Sequence, residues 1–332
     1  MNVTIIGAGS WGSGLARILG DNGNNVLMFD TSEETVKEIN ETHTNSKLPN
    51  GKLPLNVSAT TDIKTALDFS DVVVLCVPTK VMRLVLKNIN NNLTCAKLFV
   101  NASKGLEPDS LKRVSEVVNE EIDNEKIKGF VALTGPSHAE EVIEQMLTMV
   151  CSVSENLEQA KLVQELFNNT EYFRVYTSTD LVGAELCGAI KNVYAIASGM
   201  LEGLGYGDNA KAALITRALV ELKKIVVAMG GQESTITGLT GVGDLIVTAT
   251  SHHSRNFQAG LKLASGADLN EAVSSISMVV EGARTAEAVY QACNKMNLDC
   301  PVIDAVYNVI YNRKDVKLAI KELMGRSLKQ EV

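Results

Sequence analysis

The chain has 332 residues, 45% hydrophobic and 21% charged, which is typical of a globular protein with a sizeable core and room for two domains. The formal net charge of −8 argues against a nucleic-acid surface or a basic membrane face, so an anionic ligand would need a local cluster of basic side chains. No apolar run reaches the ~20 residues that span a bilayer, and we expect no signal peptide, because the basic and apolar regions of one are not seen before the first strand. The six cysteines form no CxxC pair, so we expect buried thiols in a reducing cytoplasm, with no disulfide framework and no metal site.

The chain opens with a β-branched apolar run, Asn2 to Ile6, which leads into the segment GAGSWG. Gly7, Gly9 and Gly12 give the G-x-G-x-x-G spacing, and a helical run follows directly. In this setting the first glycine permits a tight turn, the second lets the backbone approach a pyrophosphate, and the third allows close strand–helix packing. The motif predicts a dinucleotide site, and the alternative is a glycine turn without a ligand.

A second predicted strand, Asn25 to Phe29, ends at Asp30. A carboxylate at this position is placed to accept hydrogen bonds from the adenosine ribose hydroxyls of NAD, and it would repel the 2′-phosphate of NADP. No lysine or arginine follows before Lys37. We therefore expect NAD to be preferred, with NADP possible. The alternative is that Asp30 turns away and caps a helix starting at Ser32.

Two continuous apolar runs, Asp71 to Val77 and Lys97 to Asn101, predict parallel strands buried on both faces. Further strands are predicted at Leu147 to Val153 and at Phe173 to Tyr176, with helices between strands. This alternation favours a doubly wound parallel sheet, in which ligands bind beyond the carboxyl ends of the strands. Lys104 lies at such an end, although position alone also suits a solvated loop lysine.

The segment VALTGPSHAEEV places a turn at Gly135 and Pro136. Ser137 followed by Glu140 has the spacing of a capping box, which predicts a helix that Ser137 caps. The same helix N-terminus offers backbone N–H groups to an anion or a carbonyl oxygen.

Strand signals stop after Asp180, so we place a domain boundary near Ser178. This gives a dinucleotide-binding domain at residues 1–178 and a helical substrate and catalytic domain at residues 179–332. A helical stretch without proline then carries small residues and one lysine at intervals of three or four, on one predicted face: Ala184, Gly188, Lys191, Ala195 and Gly199. One explanation is tight helix packing with the lysine reaching out to solvent, and the other is close approach of a ligand.

A glycine-rich segment further along places Asp244 on a predicted turn, and Ser254 to Asn256 begin another predicted helix. Arg255 at this helix start opposes the helix dipole, which hints at a bound anion there. His252 and His253 are adjacent and lack further ligands that would make a metal site.

The segments GAGSWG, ASKGLE, TGPSHAEEV, GAIKNVYAIASG, LTGVGDL, TSHHSRN and VVEGARTA resemble, in order, the motifs of the NAD(P)-dependent glycerol-3-phosphate dehydrogenases of the bacterial soluble type. The resemblance covers nearly the whole chain. It implies a Rossmann-like α/β domain followed by an all-α domain of the 6-phosphogluconate dehydrogenase C-terminal type. It also implies a cytoplasmic homodimer that interconverts dihydroxyacetone phosphate and sn-glycerol 3-phosphate, supplying phospholipid synthesis.

The resemblance implies that Lys191 is the acid and base, with Lys104 and Asp244 as catalytic partners. Substrate contacts are implied for Lys104, Gly135, Ser137, Asp244, Ser254, Arg255 and Asn256. Cofactor contacts are expected from the glycine motif and Asp30 (Gly7, Gly9, Gly12, Asp30) and, by resemblance, from Ser10, Trp11, Lys104, Ala139, Arg255, Val279 and Glu281. His138 departs from the family pattern, which usually has an aromatic residue there.

Reduction of a ketone needs a hydride from nicotinamide and a proton at the carbonyl oxygen, which a lysine can supply if burial lowers its pKa. Two other functions remain open. A related dehydrogenase that acts on 3-hydroxy acids or 6-phosphogluconate should lack the cluster of Ser254, Arg255 and Asn256. A non-catalytic NADH-sensing protein has no need to keep Lys191, Lys104 and Asp244 together.

Overall fold

The computed structural model describes residues 1–107, 110–274, 280–328 and 330–331. Within these residues one sheet is formed by the strands β1 (Asn2–Ile6), β2 (Asn25–Phe29), β3 (Val57–Thr60), β4 (Val72–Leu75), β5 (Lys97–Asn101), β6 (Ile127–Thr134), β7 (Thr148–Val153) and β8 (Phe173–Ser178). The strand order is β3-β2-β1-β4-β5-β6-β7-β8. Neighbouring strands are parallel except β6 and β7.

The helices that alternate with these strands are α1 (Ser10–Asp21), α2 (Glu33–Thr42), α3 (Ile63–Phe69), α4 (Thr79–Asn92), α5 (Val114–Glu121), α6 (Ala139–Ile143) and α7 (Leu157–Phe167). The described residues after β8 contain helices α8 (Leu181–Gly203), α9 (Asp208–Ala228), α10 (Glu233–Ile236), α11 (Asp244–Thr250), α12 (Arg255–Ala264), α13 (Leu269–Ser274), α14 (Glu281–Lys295), α15 (Pro301–Tyr311) and α16 (Val316–Met324). No helix in the described ranges has the length and apolar character needed to cross a lipid bilayer.

Successive residues of β1 enter different apolar clusters. Ile5 packs with α1 and α7 on one face of the sheet, whereas Ile6 packs with α3, α4 and α5 on the other. Because both faces are covered, the central strands β4 and β5 are buried along their whole length, which explains their continuous apolar sequences. The predicted doubly wound, mostly parallel sheet followed by an all-α region is confirmed.

The strand order reverses between β1 and β4, which lie side by side. In open parallel sheets the loops at such a point leave a crevice for a ligand. The glycine segment follows β1 at this position, so the fold places the GAGSWG backbone at the edge of the crevice.

The small-residue face of α8 is a packing surface. A Cβ atom added to Gly199 would lie 2.0 Å from the carbonyl oxygen of Phe257, and one added to Gly260 would lie 2.1 Å from that of Ile196. α8 and α12 therefore cross in backbone contact. The glycines therefore serve helix packing, as one of the two explanations predicted. Lys191 lies on the same helix but away from this crossing, and its side chain is buried.

Some sequence expectations were wrong. β3, α3, α5 and β6 were not predicted, and β3 is a short edge strand with the polar sequence VSAT. Cys95 is exposed, although Cys151, Cys187, Cys293 and Cys300 are buried and no cysteine forms a disulfide.

Candidate active site

Two lysines meet one carboxylate at the junction of the sheet and the helices. Lys191 on α8 forms an ion pair with Asp244 Oδ1, and Lys104 Nζ lies 3.2 Å from Asp244 Oδ2. Asp244 is fully buried and Lys191 is 3% exposed. Asp244 is the first residue of α11, after a π-helical turn at Leu239–Gly243, and not on a simple turn as the sequence predicted.

Burial lowers the pKa of Lys191 to about 7, and the neighbouring charge of Lys104 acts in the same direction, whereas Asp244 opposes the shift. Lys191 therefore does not reach out to solvent. Near neutral pH its amine can both give and take a proton, which is the requirement for a general acid and base.

Lys104 also joins this cluster to the turn after β6. Its Nζ donates to the carbonyl oxygen of Gly135 at 2.9 Å and lies 3.4 Å from Ser137 Oγ. The predicted capping role of Ser137 is wrong, because its hydroxyl donates to the Gly135 oxygen at 2.9 Å and α6 begins after His138. Gly135 has a φ of +141°, which explains why glycine occupies the turn.

The cluster lies in a cleft of about 320 Å³. The predicted site residues that line this cleft are Gly9, Ser10, Trp11, Lys104, Ser137, Ala139, Lys191, Asp244, Ser254, Arg255, Asn256 and Glu281. Asn192, next to the lysine on α8, also lines it and was missed, because on this helix the sequence analysis considered only the small residues and the lysine.

The glycine loop has the shape that a dinucleotide needs. Gly7 has a φ of +108°, and a Cβ on Gly12 would lie 2.1 Å from the Gly7 oxygen, so both residues are required by the turn itself. A Cβ on Gly9 would meet nothing within 4 Å, which leaves the loop open where a pyrophosphate would approach. Trp11 Nε1 is buried in the cleft wall without a hydrogen-bond partner. These features fit a nicotinamide dinucleotide.

The helical side of the cleft is built by the starts of α12 and α14. Ser254 caps α12 by accepting a hydrogen bond from the Phe257 N–H at 3.3 Å. Asn256 Oδ1 accepts a hydrogen bond from the Gly282 N–H at 2.9 Å, which joins the two helix starts. Burial raises the pKa of Glu281 to about 6, and the charge of Arg255 opposes this shift. Val279, also predicted to contact the cofactor, lies outside the described residues.

Asp30 lies beside the glycine loop. Its Oδ2 accepts a hydrogen bond from the Ala8 N–H at 3.1 Å, and its Oδ1 accepts one from the Ser32 N–H at 3.0 Å. Ser32, and not Asp30, is the N-cap of α2, since its side chain accepts from the Thr35 N–H. The structure adds a residue that the sequence reasoning missed, because Lys47 Nζ lies 3.1 Å from Asp30 Oδ2.

The histidines make no metal site, and no cluster among the described residues is suited to hold a metal ion. His253 lines the cleft, with its ring centroid 5.8 Å from that of His138. His252 instead faces Glu202, at 3.1 Å.

Comparison with known proteins shows which family has this sequence and fold. Residues 2–160 match the NAD-dependent glycerol-3-phosphate dehydrogenase N-terminus, and residues 180–321 match the C-terminus of the same family. The chain is 48% identical over 334 residues to a glycerol-3-phosphate dehydrogenase (NAD(P)+) of Acholeplasma laidlawii, with 100% of this chain and 99% of that protein covered. It is also 48% identical over 331 residues to the corresponding protein of Lysinibacillus sphaericus, covering 99% and 98%.

The crystal structure of a glycerol-3-phosphate dehydrogenase from Coxiella burnetii superimposes with a TM-score of 0.91 at 33% identity and covers 98% of this chain and 99% of that one. The fold, the cleft and the sequence agreement over the full length lead to one conclusion: this chain belongs to the NAD-dependent glycerol-3-phosphate dehydrogenase family.

Proposed function

We propose that this protein interconverts dihydroxyacetone phosphate and sn-glycerol 3-phosphate, with NAD or NADP as the hydride carrier. The observation that carries the proposal is the buried Lys191–Asp244–Lys104 cluster, which faces the same cleft as the glycine loop and Arg255. The nicotinamide ring, when bound, supplies or takes up the hydride. The glycerol 3-phosphate that the reaction forms would supply phospholipid synthesis, as the family resemblance implies.

In the reductive direction, the Lys191 ammonium gives a proton to the carbonyl oxygen of the substrate as that oxygen gains negative charge. In the oxidative direction, the neutral amine takes the proton from the substrate hydroxyl. Asp244, which is fully buried, holds the Lys191 side chain in place, as an ion pair when the lysine is protonated. Lys104 keeps the carboxylate engaged from the other side and adds positive charge near the developing oxyanion.

The substrate phosphate is assigned to the start of α12. Arg255 offers a planar fork of N–H donors that matches phosphate oxygens, and Asn256 lies beside it on the cleft wall. Ser254 accepts its capping bond through the hydroxyl oxygen, so its O–H remains a donor. Gly135 and Ser137, together with Lys104, approach the substrate from the sheet side.

For the cofactor, the loop from Gly7 to Gly12 receives the pyrophosphate and Asp30 the adenosine ribose. Ser10, Trp11, Ala139 and Glu281, which line the cleft, would contact the cofactor as the family resemblance implies. Val279 is assigned the same role by family resemblance alone.

The domain division at residues 1–178 and 179–332 is part of the proposal. It is supported by the end of β8 at Ser178 and the start of α8 at Leu181.

A cytoplasmic location is supported by six cysteines without a disulfide. A homodimer is the assembly that the resemblance implies. Sedimentation equilibrium at micromolar concentration tests it, since a species of one chain mass would contradict it.

The decisive test of the function is a turnover assay with NADH and dihydroxyacetone phosphate, beside NAD with a 3-hydroxy acid or 6-phosphogluconate. Turnover of dihydroxyacetone phosphate at least a hundredfold above the other substrates is expected. Preference for a hydroxy acid would assign the chain to a related dehydrogenase. Cofactor binding without turnover of any substrate would assign it to NADH sensing.

A further inference from the structure

The segment before β3 carries a cation to the side of the glycine loop, next to Asp30. Asn45 is 2% exposed, and its side-chain amide donates to the Ala8 oxygen at 3.0 Å and to Ser13 Oγ at 2.8 Å. The Ser10 hydroxyl donates to the Lys47 carbonyl oxygen at 2.7 Å. This segment is therefore attached to the glycine loop and its helix by the two buried hydrogen bonds of Asn45 and by an exposed one that holds the Lys47 carbonyl group against Ser10.

The ammonium of Lys47 lies next to the carboxylate that is expected to read the ribose. Its Nζ is 3.1 Å from Asp30 Oδ2, the same oxygen that accepts the Ala8 N–H. The Lys47 side chain is 42% exposed and that of Asp30 is 14% exposed, so the ammonium covers the carboxylate on its solvent side.

The first turn of the helix after Asp30 is acidic, and the first cation on that helix is Lys37, whose side chain is 72% exposed. Glu33 and Glu34 occupy the first turn of α2, and Glu38 on the same helix is bonded to the segment through Thr44 Oγ1 at 3.2 Å. Since these carboxylates disfavour a second anion, a cation that can turn toward a bound ligand would determine whether an added phosphate is accepted here.

We propose that Lys47 is the residue that receives the 2′-phosphate of NADP, and that Lys47 and Asp30 together set the cofactor preference. With NAD, the ribose hydroxyls bond to Asp30 and Lys47 stays paired with the carboxylate. With NADP, the ammonium leaves Asp30 for the phosphate and offsets its charge. This inference deepens the proposed function, on which it rests.

The cation thus comes from a segment distant in sequence from β2, where the residues directly after the strand are acidic. A surface ion pair contributes little to folding stability. Loss of Lys47 should therefore leave the fold unchanged, and its effect should appear in ligand binding.

Calorimetric titration with two cofactor fragments isolates the 2′ position without turnover. 5′-AMP carries the ribose diol, and 2′,5′-ADP differs by the added phosphate. A charged hydrogen bond is worth roughly 10- to 150-fold in affinity. Lys47→Ala should weaken binding of 2′,5′-ADP at least about tenfold and change that of 5′-AMP less than about threefold. Asp30→Asn should weaken binding of 5′-AMP, which loses its ribose contact, and strengthen binding of 2′,5′-ADP, which is no longer repelled by the carboxylate.

Lys52→Ala is the matched control, because it removes an equal charge from an exposed position of the same segment. It should leave the ratio of the two affinities unchanged. The proposal is overturned if Lys47→Ala weakens both fragments equally, if it leaves 2′,5′-ADP unaffected, or if Lys52→Ala has the same effect. Failure of the proposed function is distinguishable, because the wild-type protein would then bind neither fragment or reduce no dihydroxyacetone phosphate.

Discussion

Lys191 and Lys97 are both buried lysines, and they differ in what surrounds them. Lys97 Nζ donates to the Ser70 carbonyl oxygen at 2.7 Å and lies 3.5 Å from the exposed carboxylate of Asp71, at the start of a strand and outside the lining of the cleft. Lys191 lies in the cleft with a carboxylate and a second lysine. Burial alone therefore does not mark a catalytic lysine, whereas a charged partner inside a cleft does.

This difference gives a matched pair of substitutions. Lys191→Ala should lower kcat by roughly 10²- to 10⁴-fold, because general acid–base catalysis contributes about that much, and should leave NADH binding intact. Lys97→Met removes an equally buried ammonium and should lower the free energy of unfolding, because the Ser70 carbonyl oxygen loses its donor, while kcat stays within about threefold. Steady-state kinetics and cofactor titration measure both. A Lys191→Ala enzyme with near wild-type kcat would remove Lys191 from the mechanism.

The pKa of Lys191, about 7, predicts opposite pH profiles for the two directions. Reduction needs the ammonium, so its kcat/KM should be level below about pH 7 and fall roughly tenfold per unit above it. Oxidation needs the free amine, so its kcat/KM should rise toward pH 7 and then level off. Profiles between about pH 6.5 and 9 avoid the titration of Glu281, which lies lower. Profiles that bend in the same direction would contradict this assignment.

Arg255 should act on the substrate through the phosphate. Arg255→Ala should lower kcat/KM for dihydroxyacetone phosphate by roughly 10- to 150-fold, the value of one charged hydrogen bond, and spare unphosphorylated dihydroxyacetone. Saturating NADH removes any effect through the cofactor, which Arg255 is also expected to contact. Equal losses on the two substrates would argue against a phosphate contact.

At this scale the sequence alone was informative where a motif carries its own chemistry. The glycine motif predicted its loop, since each glycine answers a distinct steric demand. Lys47 could not be predicted, because no periodicity connects it to Asp30 and the pairing depends on how a loop folds back. Ser137 was assigned a cap by its spacing, but its hydroxyl bonds to the turn instead.

At the scale of elements, the close crossing of α8 and α12 determines whether replacing Gly199 stabilises or destabilises the protein. On helix propensity alone, Gly199→Ala should stabilise α8 by about 1 kcal/mol. The new Cβ would lie 2.0 Å from a backbone oxygen, however, and overpacking of this kind typically costs about 1–3 kcal/mol or more. We expect net destabilisation in urea unfolding.

Gly207→Ala is the control for this crossing, because Gly207 precedes α9 with a φ of −81° and a Cβ there would meet nothing within 4 Å. Its free energy of unfolding should change by no more than about 1 kcal/mol. A Gly199→Ala protein more stable than wild type would mean that the two helices can separate without cost.

The bounds of β1, β2 and β5 were predicted correctly, because each is a continuous apolar run closed by glycine or a polar residue. β3 was missed because an edge strand pairs on one side only and tolerates polar residues. The start of α11 was missed because a π-helical turn before Asp244 has no sequence period that distinguishes it from a loop.

At the scale of the whole molecule, the cleft belongs to neither half alone. Lys104 and the glycine loop come from the sheet region, whereas Lys191, Asp244 and Arg255 come from the helical region. The fold class was predictable from the alternation of strands and helices followed by helices only. The convergence of the two halves on Asp244 was implied only by the family resemblance, because it is set by packing between segments more than a hundred residues apart in sequence.

The indole of Trp11 gives this molecule a built-in optical signal. It is the only tryptophan in the chain and lies in the cleft wall beside the glycine loop. Reduced nicotinamide absorbs light in the range where tryptophan emits, and the oxidised ring does not. Binding of NADH should therefore quench the emission strongly through energy transfer, and binding of NAD should quench it only weakly. Titration of the intact enzyme with each form measures the difference, and equal quenching by both would show that energy transfer to the reduced ring does not cause the signal.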